Sequence, residues 1–372
     1  MAKLGEVATY INGYAFKPQD WSDEGIPIIR IQDLTGNSYQ ANRYNGEYAP
    51  KYEVDDGDVL ISWSASLGVY VWHGEKAVLN QHIFKVVFDK ERISKDFFVH
   101  QVGLILENAA SDAHGATMKH LTKPVFDALP FYLPPYEKQC EIAEVLDKVT
   151  SLISLRKQQL AKLDELVKAR FVEMFGDPIN NPMNYPKSQL GKVCDVRDGT
   201  HDSPEYYDVG YPLVTSKNVT GGKIDLSECN LISEDDYKKI CERSKVDRGD
   251  IIMPMIGTVG KPVIVNTEPM FAIKNVALIK FTPDSLVTNI YIKTLLESDY
   301  FDRAVLDKIR GGTQKFIALG DIRKLEIILP DLKHQQCFSA FVERVEQQKQ
   351  TVQQSLEKLE LMKKALMQEY FG

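Results

Sequence analysis

Two short turns with the same spacing gather the polar side chains of this chain best suited to holding another molecule. The first runs Gly115-Ala116-Thr117-Met118-Lys119-His120, with His114 before it and Lys123 after it. The second runs Gly311-Gly312-Thr313-Gln314-Lys315 and follows Arg310. Glycine lets another backbone come close, Thr and Gln exchange hydrogen bonds, and Lys or Arg can hold an anionic group. An exposed turn leading into a strand would use the same residue types. Other polar groupings pair across the two halves of the chain. Ser62, Trp63, Ser64 and Ser66 stand against Pro254, Met255, Gly257 and Thr258, and Asn80, Gln81 and His82 stand against Lys274 and Asn275. Thr200, His201, Lys217, Asn218 and Lys261 complete the second set. Trp63 suits a core as well as it suits a stacking surface.

Catalytic patterns find little support. An N/D-P-P-aromatic motif for methylating an amino group is approached only by Asn181-Pro182-Met183-Asn184, which lacks the second proline and the aromatic. Gly260-Lys261-Pro262 fails the last position of a phosphate-binding loop. His114 and His120 lack the carboxylate or cysteine companions of a metal site. Asp55, Asp56 and Asp58 resemble an acid–base group, but their counterparts Asp247 and Asp250 flank Arg248-Gly249, which reads as a turn entering a strand.

The elements that position these residues come in duplicate. Residues 115–176 align without gaps to 311–372 at a constant offset of 196. Upstream the correspondence drifts: Leu4-Gly5 matches Leu190-Gly191 at 186, Gly57-Asp58 matches Gly249-Asp250 at 192, and Asn80 matches Asn275 at 195. A period near half the chain means two similar modules rather than a solenoid. Within the repeat, Leu146, Val149, Ile153, Leu160, Leu163 and Val167 fall on three- and four-residue steps, as do Val342, Val345, Val352, Leu356 and Leu359. That spacing predicts two long helices with an apolar seam, interrupted by Arg156, Lys349 and Lys363. Each follows a Leu-Pro and ends at Phe-Gly, and their matching length and seam favour pairing with each other. Val145, Leu152 and Leu166 form a second apolar stripe beside the seam, suited to docking a partner.

The bodies before each helix read as mixed α and β. Strands are predicted over 26–31, 59–62 and 82–88, and over 213–216, 250–256 and 276–281, with helices over 96–109 and 289–309. The overall net charge is −7, and no region is basic: residues 1–136 carry 12 cationic against 17 anionic side chains, and 177–332 carry 20 against 23. Strong independent binding to nucleic acid is therefore not expected. Five cysteines without C-x-x-C spacing, no apolar run of membrane length and no signal peptide after Met1 point to a reduced, cytoplasmic protein.

The order body–helix–body–helix, Met174-Phe175-Gly176-Asp177-Pro178 with Asn181-Pro182, the closing Glu369-Tyr370-Phe371-Gly372, the Gly-x-Thr turns, Asp198-Gly199-Thr200-His201-Asp202-Ser203-Pro204 and Asn80-Gln81-His82 together resemble the specificity subunits of type I restriction–modification systems. The resemblance covers essentially the whole chain. It implies an α+β fold: two similar mixed α/β target recognition domains separated by two long helices that form an antiparallel coiled coil, in a pseudo-two-fold arrangement. The segments are then 1–132 and 177–328 for recognition and 133–176 and 329–372 for the helical spacers. It also implies a non-catalytic subunit that reads a bipartite, asymmetric site on double-stranded DNA. Two methyltransferase subunits and restriction–translocase subunits would be its partners. Cofactors are expected in those partners (S-adenosylmethionine, ATP and Mg2+), none in this chain. The polar groups named above then become candidate DNA contacts. The competing expectation is a coiled-coil adaptor that holds protein partners and does not bind DNA.

Overall fold

The computed structural model describes residues 1–37, 42–112, 122–255, 261–305 and 316–372. They form two compact units, one of residues 1–157 with 354–372, the other of 158–353.

In the first unit, an antiparallel sheet has the strand order Thr9–Asn12, Ile83–Val87, Val59–Ser62, Gly68–Val71. A second sheet is built around the parallel pair Ile26–Ile29 and Ala77–Leu79, in which Ile28 faces Val78. The helix Lys95–Asp112 packs Phe97, Phe98, Val102 and Leu106 against the first sheet's Ile61 and Phe84 in one core. The second unit repeats this plan. Its antiparallel sheet runs Asp195–Asp198, Val276–Lys280, Ile251–Pro254, Val263–Ile264, and its parallel pair is Tyr211–Val214 with Ala272–Ile273. Valine and isoleucine dominate these strands because branched side chains fit a pleated surface covered on its faces.

The carboxylates near 55 and 247 are turn residues in both units. Asp58 accepts from the Asp55 N–H at 2.9 Å, and Asp250 from the Asp247 N–H at 2.8 Å, with Gly57 and Gly249 in the left-handed region between them. Each strand-opening aspartate then pairs with a lysine of the central strand, Lys85 at 2.7 Å and Lys280 at 2.6 Å.

Two helices of 40 residues, Tyr136–Phe175 and Leu332–Phe371, match at the offset of the repeat. Each is about 60 Å long at 1.5 Å per residue. Within the first unit, Ile142, Ala143 and Leu146 share a core with Leu366, Met367, Tyr370 and Phe371, and Lys157 pairs with Glu360 at 3.0 Å. Within the second, Phe171 and Phe175 pack on Phe338, and Asp164 pairs with Lys349 at 2.7 Å. In both, the beginning of one helix lies against the end of the other, so their packing is antiparallel. Of the seam, Leu146, Val149, Val345, Val352 and Leu356 are buried, and Ile153, Leu160, Leu163, Val167, Val342 and Leu359 are half-buried. The compact units include half of each long helix, whereas the segments read from the sequence divide at helix ends; chain segments and packed bodies are different partitions.

A buried glutamine anchors each helix to its own body. Gln139 Nε2 donates to Pro134 O at 2.9 Å, and its Oε1 accepts from Ser94 N at 3.0 Å. Gln335, 196 residues on, makes the matching bonds to Pro330 O and from Thr288 N, both at 2.8 Å. At the far end, Gly176 adopts φ 73° and closes the helix by donating to Val172 O. The helix predicted over 289–309 is instead Asn289–Leu296 followed by Asp299–Val305. Ser298 interrupts it, because its hydroxyl donates back to Leu295 O at 2.6 Å and its carbonyl starts the next turn.

Candidate functional site

In each unit the opening strand runs into a glycine that crosses beneath the loop entering the central strand. In the first, Gly13 donates to Ile83 O, Tyr14 to Leu79 O, and Gln81 back to Tyr14 O, at 3.0, 2.8 and 2.8 Å. In the second, Gly199 donates to Val276 O, Thr200 to Ile273 O, and Asn275 back to Thr200 O, at 3.0, 3.0 and 3.3 Å. The parallel bridges Tyr14–Asn80 and Thr200–Lys274 complete the match. Glycine is required by closeness: a Cβ would meet Asn80 O at 2.0 Å from Gly13, and Ile273 O at 2.4 Å from Gly199.

This ladder corrects the pairing of Asn80 with Asn275. Asn80 corresponds to Lys274 and Gln81 to Asn275, and His82 is an additional residue in the first loop. The left-handed turn is made by His82 at φ 72° in one unit and by Asn275 at φ 55° in the other.

Around the shared backbone the side chains differ. In the first unit Trp63 donates to Asn12 Oδ1 at 3.2 Å, stacks on Phe84 at 5.6 Å and meets His82 edge-on at 4.9 Å, so its indole is committed to the body. In the second, His201 bridges two oxygens: its Nδ1 lies 2.9 Å from Asn275 Oδ1 and its Nε2 2.8 Å from Asp198 Oδ2. The other Asp198 oxygen accepts from Arg243. The bonds to Asn275 and then Asp198 raise the His201 pKa above its ordinary value. Burial opposes ionisation of Asp198, yet the His201 bond and the Arg243 charge outweigh it and hold its carboxyl below the usual range. Lys274 donates to Ser203 Oγ at 2.7 Å beside an open cleft of about 380 Å³ that Thr200, Asp202, Ser203, Lys239 and Arg243 help to line.

Other sequence candidates are scattered. Ser62 and Ser64 are buried, and Ser62 Oγ donates to Ser64 O within the first unit's core. Asn218 is also buried, its Oδ1 accepting from Thr215 N and Oγ1. These three are corrected from contacts to structural residues. The strand Val59–Ser62 is buried along its whole length, so its polar end does not face solvent. Ser66, Lys217 and Lys261 are exposed, and Lys123 pairs with Asp127 at 2.7 Å. His114, Thr117, Lys119, His120, Thr258, Arg310, Thr313, Gln314 and Lys315 lie outside the described residues. Val145, Leu152 and Leu166 are exposed on the first long helix, joined by Leu155 and Val172, which the seven-residue pattern missed. Asp198 and Arg243 were also missed as site residues; 45 positions separate them, and no local spacing links the pair.

A protein-family model described as the type I restriction modification DNA specificity domain matches the chain twice, over residues 1–165 and 182–361. The chain belongs to this family. Its relatives include the type I restriction enzyme EcoBI specificity subunit of Escherichia coli, 24% identical over 378 residues that make up 92% of this chain and 78% of that one. The MjaVIII specificity subunit of Methanocaldococcus jannaschii is 23% identical over 99% of this chain and 90% of its own. Among solved structures, a type I restriction–modification S subunit from M. genitalium aligns with a TM-score of 0.59 at 12% identity, covering 100% of this chain and 95% of that one. A chain from a structure addressing complex assembly and conformational transition of the type I system gives 0.56 at 18% identity, with 100% and 96% covered. These likenesses establish the specificity-subunit fold, with its two related α+β bodies and long helices. No helix among the described residues is long and apolar enough to cross a membrane.

Proposed function

We propose that this chain is the non-catalytic sequence-reading subunit of a type I restriction–modification complex acting on double-stranded DNA in the cytoplasm. Each body reads one half of a bipartite, asymmetric target, and the paired helices hold the spacing between the halves. Two methyltransferase subunits dock along the helices, with Val145, Leu152 and Leu166 in the docking face, and restriction–translocase subunits join further out. Adenine N6 is the methylated position. S-adenosylmethionine, ATP and Mg2+ belong to the partner subunits.

The observation that carries this reading is a corner built twice on one backbone plan and furnished with different side chains, in a chain that matches the DNA specificity domain twice. Two readers of unlike half-sites need that combination. The net charge of −7 fits it as well, since partners that close around DNA would supply the missing cationic surface. The test is to express the chain with and without its methyltransferase partner in a host free of methylation and to map modified bases by long-read sequencing. N6-methyladenine at one bipartite motif, only when both proteins are present, is the expected result. Methylation by this chain alone, or by the pair without any motif, contradicts it.

A further inference from the structure

The His201 bridge determines which end of the Asn275 side chain is available. Both groups facing the imidazole, Asn275 Oδ1 and the Asp198 carboxylate, are acceptors, so the protonated ring donates to them from both nitrogens. Asp198 stabilises that charge and is itself held by Arg243. With its oxygen already bonded to His201, the polar atom of the Asn275 side chain left without a partner is its amide nitrogen. Among the described residues Nδ2 has no hydrogen-bond partner, and it is not among the polar atoms sealed from solvent. The first unit places the same chemical group at the same rung: Gln81, whose N–H bonds Tyr14 O as Asn275 N–H bonds Thr200 O. The Gln81 carboxamide has no hydrogen bond among the described residues, so both of its ends remain open.

Carboxamides are the side chains that present a donor and an acceptor together to a base edge. Resting on the DNA-reading function proposed above, we infer that Asn275 is a base-discriminating residue of the second body and that His201 is its positioning residue, turning the amide nitrogen outward as a donor. An outward donor selects a major-groove acceptor: guanine O6 or N7, adenine N7 or thymine O4. Gln81, free at both ends, can instead take the paired donor and acceptor of adenine. The two bodies thus offer related side chains with different hydrogen-bonding capacity, and the difference is set by a histidine that the first body lacks at this place.

The experiment uses the full chain with its methyltransferase partner and reads the methylated motif by long-read sequencing. Asn275→Asp keeps the size of the side chain, tolerates the left-handed backbone and preserves an acceptor for His201, but turns an acceptor outward. It should shift the preferred base at one position of one half-site towards one that presents an amino group, cytosine or adenine. His201→Ala should relax the same position by about 10-fold or more, the size of one base contact. Thermal melting of both variants reports whether the body stays folded, and Asn275→Gly, which suits the left-handed backbone, provides a second loss of contact. If folded variants leave every position unchanged while replacement of residues 187–328 still changes that half-site, the Asn275 assignment is overturned and the DNA-reading function stands. If replacing 187–328 changes nothing in the motif, both are overturned.

Discussion

The two glycine corners share a backbone and divide on everything attached to it. Near Gly13 the surroundings are aromatic and amide, with Trp63 locked between Asn12, His82 and Phe84. Near Gly199 they are ionic, with His201, Asp198 and Arg243 in one chain of contacts. One extra residue, His82, is absorbed in the first loop without disturbing the rungs on either side. Hydrogen bonds between main-chain groups do not depend on side-chain identity, so the ladder can be kept while its outward residues change. The long helices show the opposite behaviour: length, terminal Phe-Gly and buried glutamine are all retained at one offset.

If the corners share one constraint, Gly13→Ala and Gly199→Ala should be comparably harmful. Each new methyl meets a carbonyl that cannot withdraw without breaking the ladder, and each should cost about 2–3 kcal/mol. Urea unfolding of the two variants measures this, and a large effect in only one would break the comparison. The buried glutamines give the next largest effect. Gln139→Leu strands the Ser94 N–H and the Pro134 carbonyl, and Gln335→Leu the Thr288 N–H and the Pro330 and Leu286 carbonyls, worth about 1–3 kcal/mol in each unit. Equal losses sharpen the picture of a common frame.

A smaller effect should separate the corners by pH. The His201 pKa is raised in the folded state, so the bridge contributes fully below the ordinary histidine pKa and is lost as pH rises through the raised value. Asp198, its carboxyl held below the usual range, and Arg243 are the charged groups facing it. Melting temperatures of the parent chain and His201→Ala should therefore differ most in mild acid and converge as pH rises. The smallest effect is expected at Lys349, half-buried between Asp164 and Glu346. Lys349→Ala should cost about 0.5 kcal/mol, reduced by salt, as double-mutant cycles with Asp164 would show.

The helices were legible because apolar residues at three- and four-residue steps, Pro entries and Gly exits all agree over 40 positions. Five of the six strands were placed to within two residues at either end, and Val59–Ser62 to the residue; Ile256, the predicted end of the remaining strand, lies outside the described residues. The corners were less legible for two physical reasons. A strand covered on both faces loses its alternation, so Ser62 and Ser64 passed for surface residues. Residue identity also misaligned the loops: Asn80 and Asn275 are the same amino acid on different rungs, and only the hydrogen bonds reveal the additional His82. The Asp198–Arg243 pair had no sequence signal, since a helix must first return Arg243 to the opening strand.

The central claim is that each body reads its own half of the target. The most direct measurement replaces residues 1–132 with the corresponding body of another family member, keeps the helices and the second body, and maps methylated bases in cells that contain the methyltransferase partner. The account predicts a motif changed in one half, with the other half and the spacing retained. A motif changed in both halves, or in neither, would contradict it.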